Sequence, residues 1–254
     1  MSALLNKRLA RSLWRSKLRL FAVIFMVSVG VFAGLTFGGY SHNLSGMYDT
    51  MHADDGDGAN LADLWIDNRS TTWSAEQVAT FCQHLTDNWD LSAHDLDSCE
   101  GRNIIPGAMF FDDDGEERII NSLWHGIAPT ANSDRVWMPA GHSGGRLALA
   151  DDEIVIDAHV MEPLELNLGD TITIGAGSSS AEFSIVGYGY HPVHIFMAPE
   201  GSVFPPEAGE YVVGYLSESG MARLTGNDLG ASNTILLDVQ GTPSFDLPDT
   251  NEYE

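Results

Sequence analysis

Hydrophobic and polar positions divide the chain sharply near its start. Residues 20–40, LFAVIFMVSVGVFAGLTFGGY, form an apolar run without a charged side chain. As an α-helix this run spans about 31 Å, enough to cross a hydrocarbon core of about 30 Å. The pattern therefore predicts one transmembrane helix. A cleaved secretory signal peptide shares the basic start and apolar run, so both readings stay open, with the length of the run favouring a retained anchor. A buried helix of a soluble protein is a third reading, and it leaves the charge asymmetry described below without a cause.

Upstream, residues 4–19 (LLNKRLARSLWRSKLR) carry Leu5, Leu9 and Leu13 at four-residue spacing, while Arg8, Arg11, Arg15 and Arg19 occupy another face. This is the pattern of an amphipathic helix lying in the membrane interface, its arginines among anionic headgroups. A plain basic flank that sets topology is the other reading.

Downstream the periodicity changes repeatedly. Residues 61–66 (LADLWI) read as a buried strand. Ser74 reads as an N-cap with Gln77 as its capping-box partner, opening a helix that places Val78, Phe81, Cys82 and Leu85 on one face. Alternation in Asn103–Phe111 and Arg118–Leu123 around the acidic tip FDDDGEER predicts a β-hairpin. Residues 130–150 read as a connecting loop. Glu153–Asp157 reads as a strand, followed by a short turn or helix interrupted by Pro163. Gly169 and Asp170 make a tight turn into Thr171–Ile174, and Glu182–Tyr188 returns as a strand. Short strands joined by glycine turns indicate a small β-barrel-like module. Tyr211–Leu216 and Thr234–Val239 are two more strands, separated by a helical turn at Met221–Leu224, and the last residues read as a frayed polar end.

Charge orients these elements. The chain carries 12 basic and 36 acidic residues, but residues 1–48 hold six of the bases and none of the acids. Positive charge massed on one flank of a span places that flank in the cytoplasm. Residues 41–254 are then extracytoplasmic, held at the cell membrane by a single pass. A domain this acidic repels nucleic acid, which is set aside as a partner. Adaptation to high salt is one reading of the acidity, and it says nothing about activity. The two cysteines, Cys82 and Cys99, both fall in the external part, where an oxidising compartment favours a disulfide; two buried free thiols are the alternative.

Candidate chemistry is sparse. ADDGDGAN at residues 53–60 lacks the alternating ligands and distant glutamate of a calcium loop and reads as a solvated turn. Ser143 in GHSGG does not match a nucleophile elbow. His191 and His194 in HPVH have no evident third ligand nearby and read as ordinary loop histidines rather than a metal site. No catalytic, cofactor-binding or metal-binding set is assigned. The residues singled out are mechanical: Arg8, Arg11, Arg15 and Arg19 at the membrane interface, and Gly169 with Asp170 as a structural turn.

The segment LARSLWRSKLRLFAVIFMVSVGVFAG resembles the first membrane helix of FtsX-like permeases of the MacB and LolC/E type. DEIVIDAHVMEPLELNLGDTITI followed by EFSIVGYGYHPVHIF resembles that family's extracytoplasmic core, where a strand, a small helix ending in L-x-x-G-D and a further strand recur in order. YVVGYLSESGMARLTG and ASNTILLDV stand where the family has its returning strands. The resemblance implies an α+β fold: one N-terminal membrane helix, a ferredoxin-like α/β part (60–129 and 210–240) and a β-rich insertion (151–200). It also implies a non-catalytic subunit of an ABC-type system that moves an amphiphile, peptide or lipoprotein. Its partners would be membrane lipid, a cytoplasmic ATPase, and the remaining permease half or a second permease subunit in a dimer. The chain departs from the family in having no second uncharged run of 18 or more residues, so the expectation is a fragment or a single-span accessory that does not form a transport path alone. Two further readings come from other classes. One is a membrane-anchored binding or adhesion module without an ATPase; the other is an anchored hydrolase, for which no constellation assembles.

Overall fold

A computed structural model of the chain describes residues 17–51, 58–68, 70–89, 95–113, 116–138, 144–194, 199, 202 and 206–239. Arg8, Arg11, Arg15, Ser143 and the last fifteen residues lie outside this set, as do the hairpin tip at 114–115 and the side chain of Arg19. The chain divides into two units, Met1–Asp49 and Thr50–Glu254.

The first unit is described by one helix, α1, Lys17–Met51. Within it Phe21–Tyr40 has a mean hydropathy of 2.2 and none of it is covered by protein, so by length and composition it can cross a membrane. The helix continues past the apolar run to Met51, because Ser41–Met51 holds no proline to stop it. Its 35 residues give a rod of about 52 Å, roughly 20 Å longer than a hydrocarbon core.

The second unit is a mixed α/β fold whose described strands form a largely closed sheet. In chain order its elements are β1 (Leu64–Asp67), α2 (Ala75–Asp87), β2 (Leu96–Asp113), β3 (Glu116–Gly126), β4 (Glu153–Asp157), α3 (Ala158–Met161), β5 (Thr171–Ala176), β6 (Ser179–Gly189), a 3-10 turn (Pro192–His194), β7 (Tyr211–Leu216), α4 (Glu218–Thr225) and β8 (Thr234–Val239). The strands run β1-β8-β2-β3-β7-β4-β6-β5, and β5 pairs back onto β2. Six strands, β2-β3-β7-β4-β6-β5, thus form a barrel that leaves no open edge between them. The strands of residues 151–200 supply half of this ring, and β2, β3 and β7 supply the rest.

Strand β2 belongs to two layers. Leu96–Arg102 pairs with β8, and Asn103–Asp113 pairs with β3 in an unbroken antiparallel register down to Asp113 opposite Glu116. Because β1 and β2 are both antiparallel to β8, they are parallel to each other with β8 between them. The β1-α2-β2 crossover is therefore a split β-α-β unit. Helix α2 opens at Ser74, whose hydroxyl accepts from the Gln77 amide while the Gln77 side chain accepts from the Ser74 amide. It packs Val78, Cys82 and Leu85 on Ile235, Leu237 and Cys99. A disulfide joins Cys82 to Cys99, with 5.6 Å between the Cα atoms, and ties α2 to the first half of β2.

The strand expected to be buried at 61–66 is instead an exposed edge. It forms at Leu64–Asp67, pairs only with β8 among the described strands, and leaves Leu64 54% exposed. An apolar run signals a strand but not its place in a sheet, and α2 covers β8 and β2 rather than this margin.

The barrel interior is filled by alternate residues: Met109, Ile120, Trp124, Ile154, Ile156, Ile172, Ile174, Phe183, Ile185 and Val212 form one cluster. Trp124 is fully buried, and two glycines make room for it. A Cβ on Gly107 would stand 2.1 Å from the indole nitrogen, and one on Gly214 would stand 2.7 Å from the ring. The indole N–H donates to the Gly175 carbonyl at 3.0 Å. Val155, Val213 and Tyr215 point outward, yet they too are buried, beneath Ile127, Val136 and Ala148. The stretch expected to be a connecting loop is thus a second wall over β4 and β7. That double coverage explains why β7 is apolar at nearly every position.

Gly169 has φ +93°, and Asp170 closes the same turn by accepting from the Asn167 amide at 2.8 Å. Gly169 donates to Ile185 O, and Ile185 donates to Asp170 O, so the turn is stitched to β6. A Cβ at Gly169 would meet nothing within 4 Å, so the cost of a side chain there is purely conformational. Gly169→Val is expected to lose about 1–3 kcal/mol in urea denaturation, and unchanged stability would show that the turn relaxes freely.

Candidate functional site

Parallel pairing of β3 with β7 sets His125 opposite Tyr215 at one end of the barrel. The chain leaving β6 then folds His191 and His194 over the same end through the 3-10 turn. His125 Nε2 and His194 Nε2 lie 2.9 Å apart, which requires one ring to donate and the other to accept. The His125 ring centroid lies 4.9 Å from that of His194 and 5.8 Å from that of His191. His125, His191 and Tyr215 are each only 2% exposed. Burial holds the His125 imidazole well below its ordinary value, and the neighbouring His194, His191 and Arg102 push it the same way. Burial also lowers His194, against a smaller opposing pull from Asp157.

Asp157 ends β4 and caps α3, accepting from the His159 amide and meeting His159 Nδ1 at 2.7 Å. Its other oxygen, Oδ2, is buried, and the carboxylate faces the buried hydroxyl of Tyr215. Burial and then the Asp157 charge raise that phenol well above its usual value. His191 and His194, read as loop histidines rather than a metal site, lie on a loop and a 3-10 turn, where both pack against a third histidine that lies 69 residues before His194 in the chain. Nothing in NSLWHG marks His125 as different from any strand residue, since strand register is what brings it to the cluster. Among the described residues, no three His, Cys, Asp or Glu side chains are placed to hold a metal ion together.

A buried polar seam continues from this cluster to the β1-β8-β2 layer. His191 Nε2 lies 3.3 Å from the Asp134 carbonyl. Arg102, 2% exposed on β2, donates to the Ser133 carbonyl at 2.7 Å. Asn60 donates to Asp238 at 2.8 Å and to the Asn132 carbonyl at 3.1 Å. Ala59 and Asn60 therefore do not belong to a solvated turn: both are buried, and Asn60 holds φ +46° to aim its amide inward. Asparagine tolerates that conformation better than most residues.

Asp134 accepts from the Ala62 amide at 2.8 Å, yet burial raises its carboxyl from 3.8 to about 6, against the opposing pull of that amide and Arg102. The folded state therefore binds this proton across the window between 3.8 and about 6. The ionised carboxylate withholds stability above that window, and the loss is recovered as pH falls through it. Asn accepts the same amide bond without ionising. The stability of Asp134→Asn relative to wild type is expected to rise by roughly 1 kcal/mol between about pH 5 and pH 7.5. Parallel denaturation midpoints for the two proteins across that range would refute the assignment.

His194 also lines an open groove of about 660 Å³, with Trp65, Ile104, Pro106 and Leu123 among its apolar lining and Asp67, Asn121 and Asn233 among its polar lining. The groove runs between the edge strand and the barrel, so it combines residues from five strands. Gly169 and Asp170 lie elsewhere, on the β5–β6 side, and do not join the cluster. The arginines at 8, 11 and 15 cannot be placed relative to either, being outside the described residues.

No family model matches the sequence, and no curated protein matches it significantly. In structure, the chain is similar to the periplasmic region of MacB from Actinobacillus actinomycetemcomitans, at 11% identity over 70% of each chain with a TM-score of 0.39. It is likewise similar to the extracellular domain of the noncanonic ABC-type transporter YknZ from Gram-positive bacteria, at 12% identity over 70% of this chain and 82% of that one, with a TM-score of 0.40.

Proposed function

We propose that this chain is a non-catalytic membrane subunit of an ABC-type permease of the FtsX/MacB-like kind, coupling a cytoplasmic ATPase to an extracytoplasmic domain. One observation carries the reading: a single chain joins an arginine-rich start, an uncovered helix of membrane length and an acidic, disulfide-bridged α/β unit. The charge asymmetry supports a cytoplasmic start with the folded unit outside. An oxidising exterior suits the Cys82–Cys99 bridge.

The split β-α-β unit supports the ferredoxin-like part of the fold, with residues 151–200 as the β-rich insertion that completes the barrel. Gly30, Gly34 and Gly38 recur every four residues along α1, and nothing lies within 4 Å of where their Cβ atoms would stand. A neighbouring membrane helix can approach that face closely, which supports a second permease subunit as partner. The role is mechanical: nucleotide-driven movement at the membrane helix is relayed to the external unit. The groove beside Trp65, lined by apolar side chains such as Ile104 and Leu123 and polar ones such as Asp67 and Asn121, suits an amphiphile, a peptide or a lipoprotein.

The test is purification of the tagged full chain in mild detergent, co-expressed with a P-loop ATPase and permease encoded beside it, with and without non-hydrolysable ATP. Stoichiometric recovery of the ATPase supports the proposal. Absence of ATPase in every nucleotide state, with the folded unit cleaved by protease added to intact cells, would leave a membrane-anchored binding module instead.

A further inference from the structure

We propose that His125, His191 and His194 form a proton-operated latch, which holds the 3-10 turn against the end of the barrel while the rings are neutral and releases it on acidification. The inference stands apart from the permease reading and rests on the geometry of the cluster.

Three imidazoles are packed within 6 Å of one another by ring centroid, and the two facing Nε2 atoms are 2.9 Å apart. A neutral pair satisfies that contact with a single hydrogen. One added proton is still accommodated: it goes to Nδ1 of the donating ring, and that imidazolium keeps donating its Nε2–H to the other ring. A second leaves two N–H groups pointing at each other, one of them on the buried ring of His125, and repulsion then opposes the contact.

The groups facing this pair come from every element packed on it. Tyr215 reaches it from β7, Asp157 from the end of β4 with His159 bonded behind it, and Arg102 from β2 adds a further positive charge. Asp157 is the one acidic side chain that acts on His194, and its pull is smaller than the effect of burial. Tyr190 packs its ring on His159 and stays neutral in this range. Because His194 lines the groove, protons have a route to the pair through that ring. The sign follows from burial: imidazoles held below their ordinary value contribute stability that is complete above about pH 6.5 and is lost as pH falls.

Among the described residues, backbone contacts also hold the turn, besides the packing of these rings. His194 donates its amide to the His191 carbonyl, Val193 donates to His191 Nδ1, and Tyr190 pairs with Trp137. Protonation of His191 removes the Val193 acceptor directly. The turn is thus able to open while the barrel ladders stay closed.

Hydrogen exchange on the full chain in detergent, corrected for the intrinsic effect of pH, reads the latch directly. Between about pH 7.5 and pH 5, protection of the Tyr190, Val193 and His194 amides is expected to fall about tenfold or more, with the β2–β3 hairpin unchanged. His194→Gln keeps a polar contact but takes no proton, so its fall in protection is expected to be clearly smaller, with the remainder coming from His191. Equal protection at both values in the wild type, or an equal fall in the variant, overturns the proposal. Should the variant not fold, imidazole NMR titration of the wild type decides: a coupled pair with one ring neutral to about pH 5 supports the latch, and independent titration of both rings near the ordinary midpoint overturns it.

Discussion

Trp124→Ala is expected to destabilise the α/β unit by about 3–5 kcal/mol, the range for deleting a fully buried large side chain. The indole is 0% exposed, fills a slot opened by Gly107 and Gly214, and donates to the Gly175 carbonyl. Its removal leaves a large cavity between strands that are held in a closed ring and cannot collapse inward. It also strands the acceptor on β5, whose pairing to β2 closes that ring. The reciprocal change tests the same slot from the other side. A methyl on Gly214 meets the ring at 2.7 Å and Ile154 at 3.0 Å, so Gly214→Ala is expected to cost about 1–3 kcal/mol by overpacking. Urea denaturation of the full chain in detergent, followed by circular dichroism, measures both. A loss below about 1 kcal/mol for Trp124→Ala would mean that the barrel is not the cooperative centre of the unit.

The second large effect is at the Cys82–Cys99 disulfide. Its sequence separation is 17, and for a loop of that size the chain-entropy estimate is about 3 kcal/mol. For a unit of roughly 200 residues this corresponds to about 6–12 °C in Tm. Reduction, or paired replacement by alanine, is expected to produce that drop. The damage is expected to be concentrated in α2 and the β1-β8-β2 layer, where the bridge joins the helix to its sheet. The Trp124 environment, which lies in the other cluster, should change little at temperatures below the transition. An unchanged Tm on reduction would show that the bridge adds nothing to stability. Alkylation of protein taken directly from cells adds a compartment test: two blocked cysteines indicate an oxidising exterior, and two reactive thiols contradict the proposed topology.

Much of the local structure was legible without coordinates, because local patterns report local preferences. The capping box at Ser74 and Gln77, the hairpin through Asn103 and Arg118, the alternation in Thr171–Ile174 and the turn at Gly169–Asp170 are each decided by residues close in sequence. The even cysteine pair and the division of charge around residue 48 likewise needed only counting. Placement was not legible. The apolar run at 61–66 announced a strand, but whether that strand is central or at an edge depends on which neighbours it finds. The stretch at 130–150 looked like linker because its residues are small, and small residues are what let it lie close over β4 and β7. Gly145, for example, lies so close over β6 that a Cβ there would collide with the Val186 carbonyl.

The sequence alone determined that this chain has one membrane-length apolar helix, a basic start, an acidic remainder and a succession of short strands, since composition and period are properties of the chain itself. Only the tertiary structure decided that the strands close into a barrel around Trp124, that Asn60 turns inward, and that His125 meets His194. Those outcomes depend on register between segments far apart in sequence. A one-residue slip in pairing moves every side chain of a strand to the opposite face.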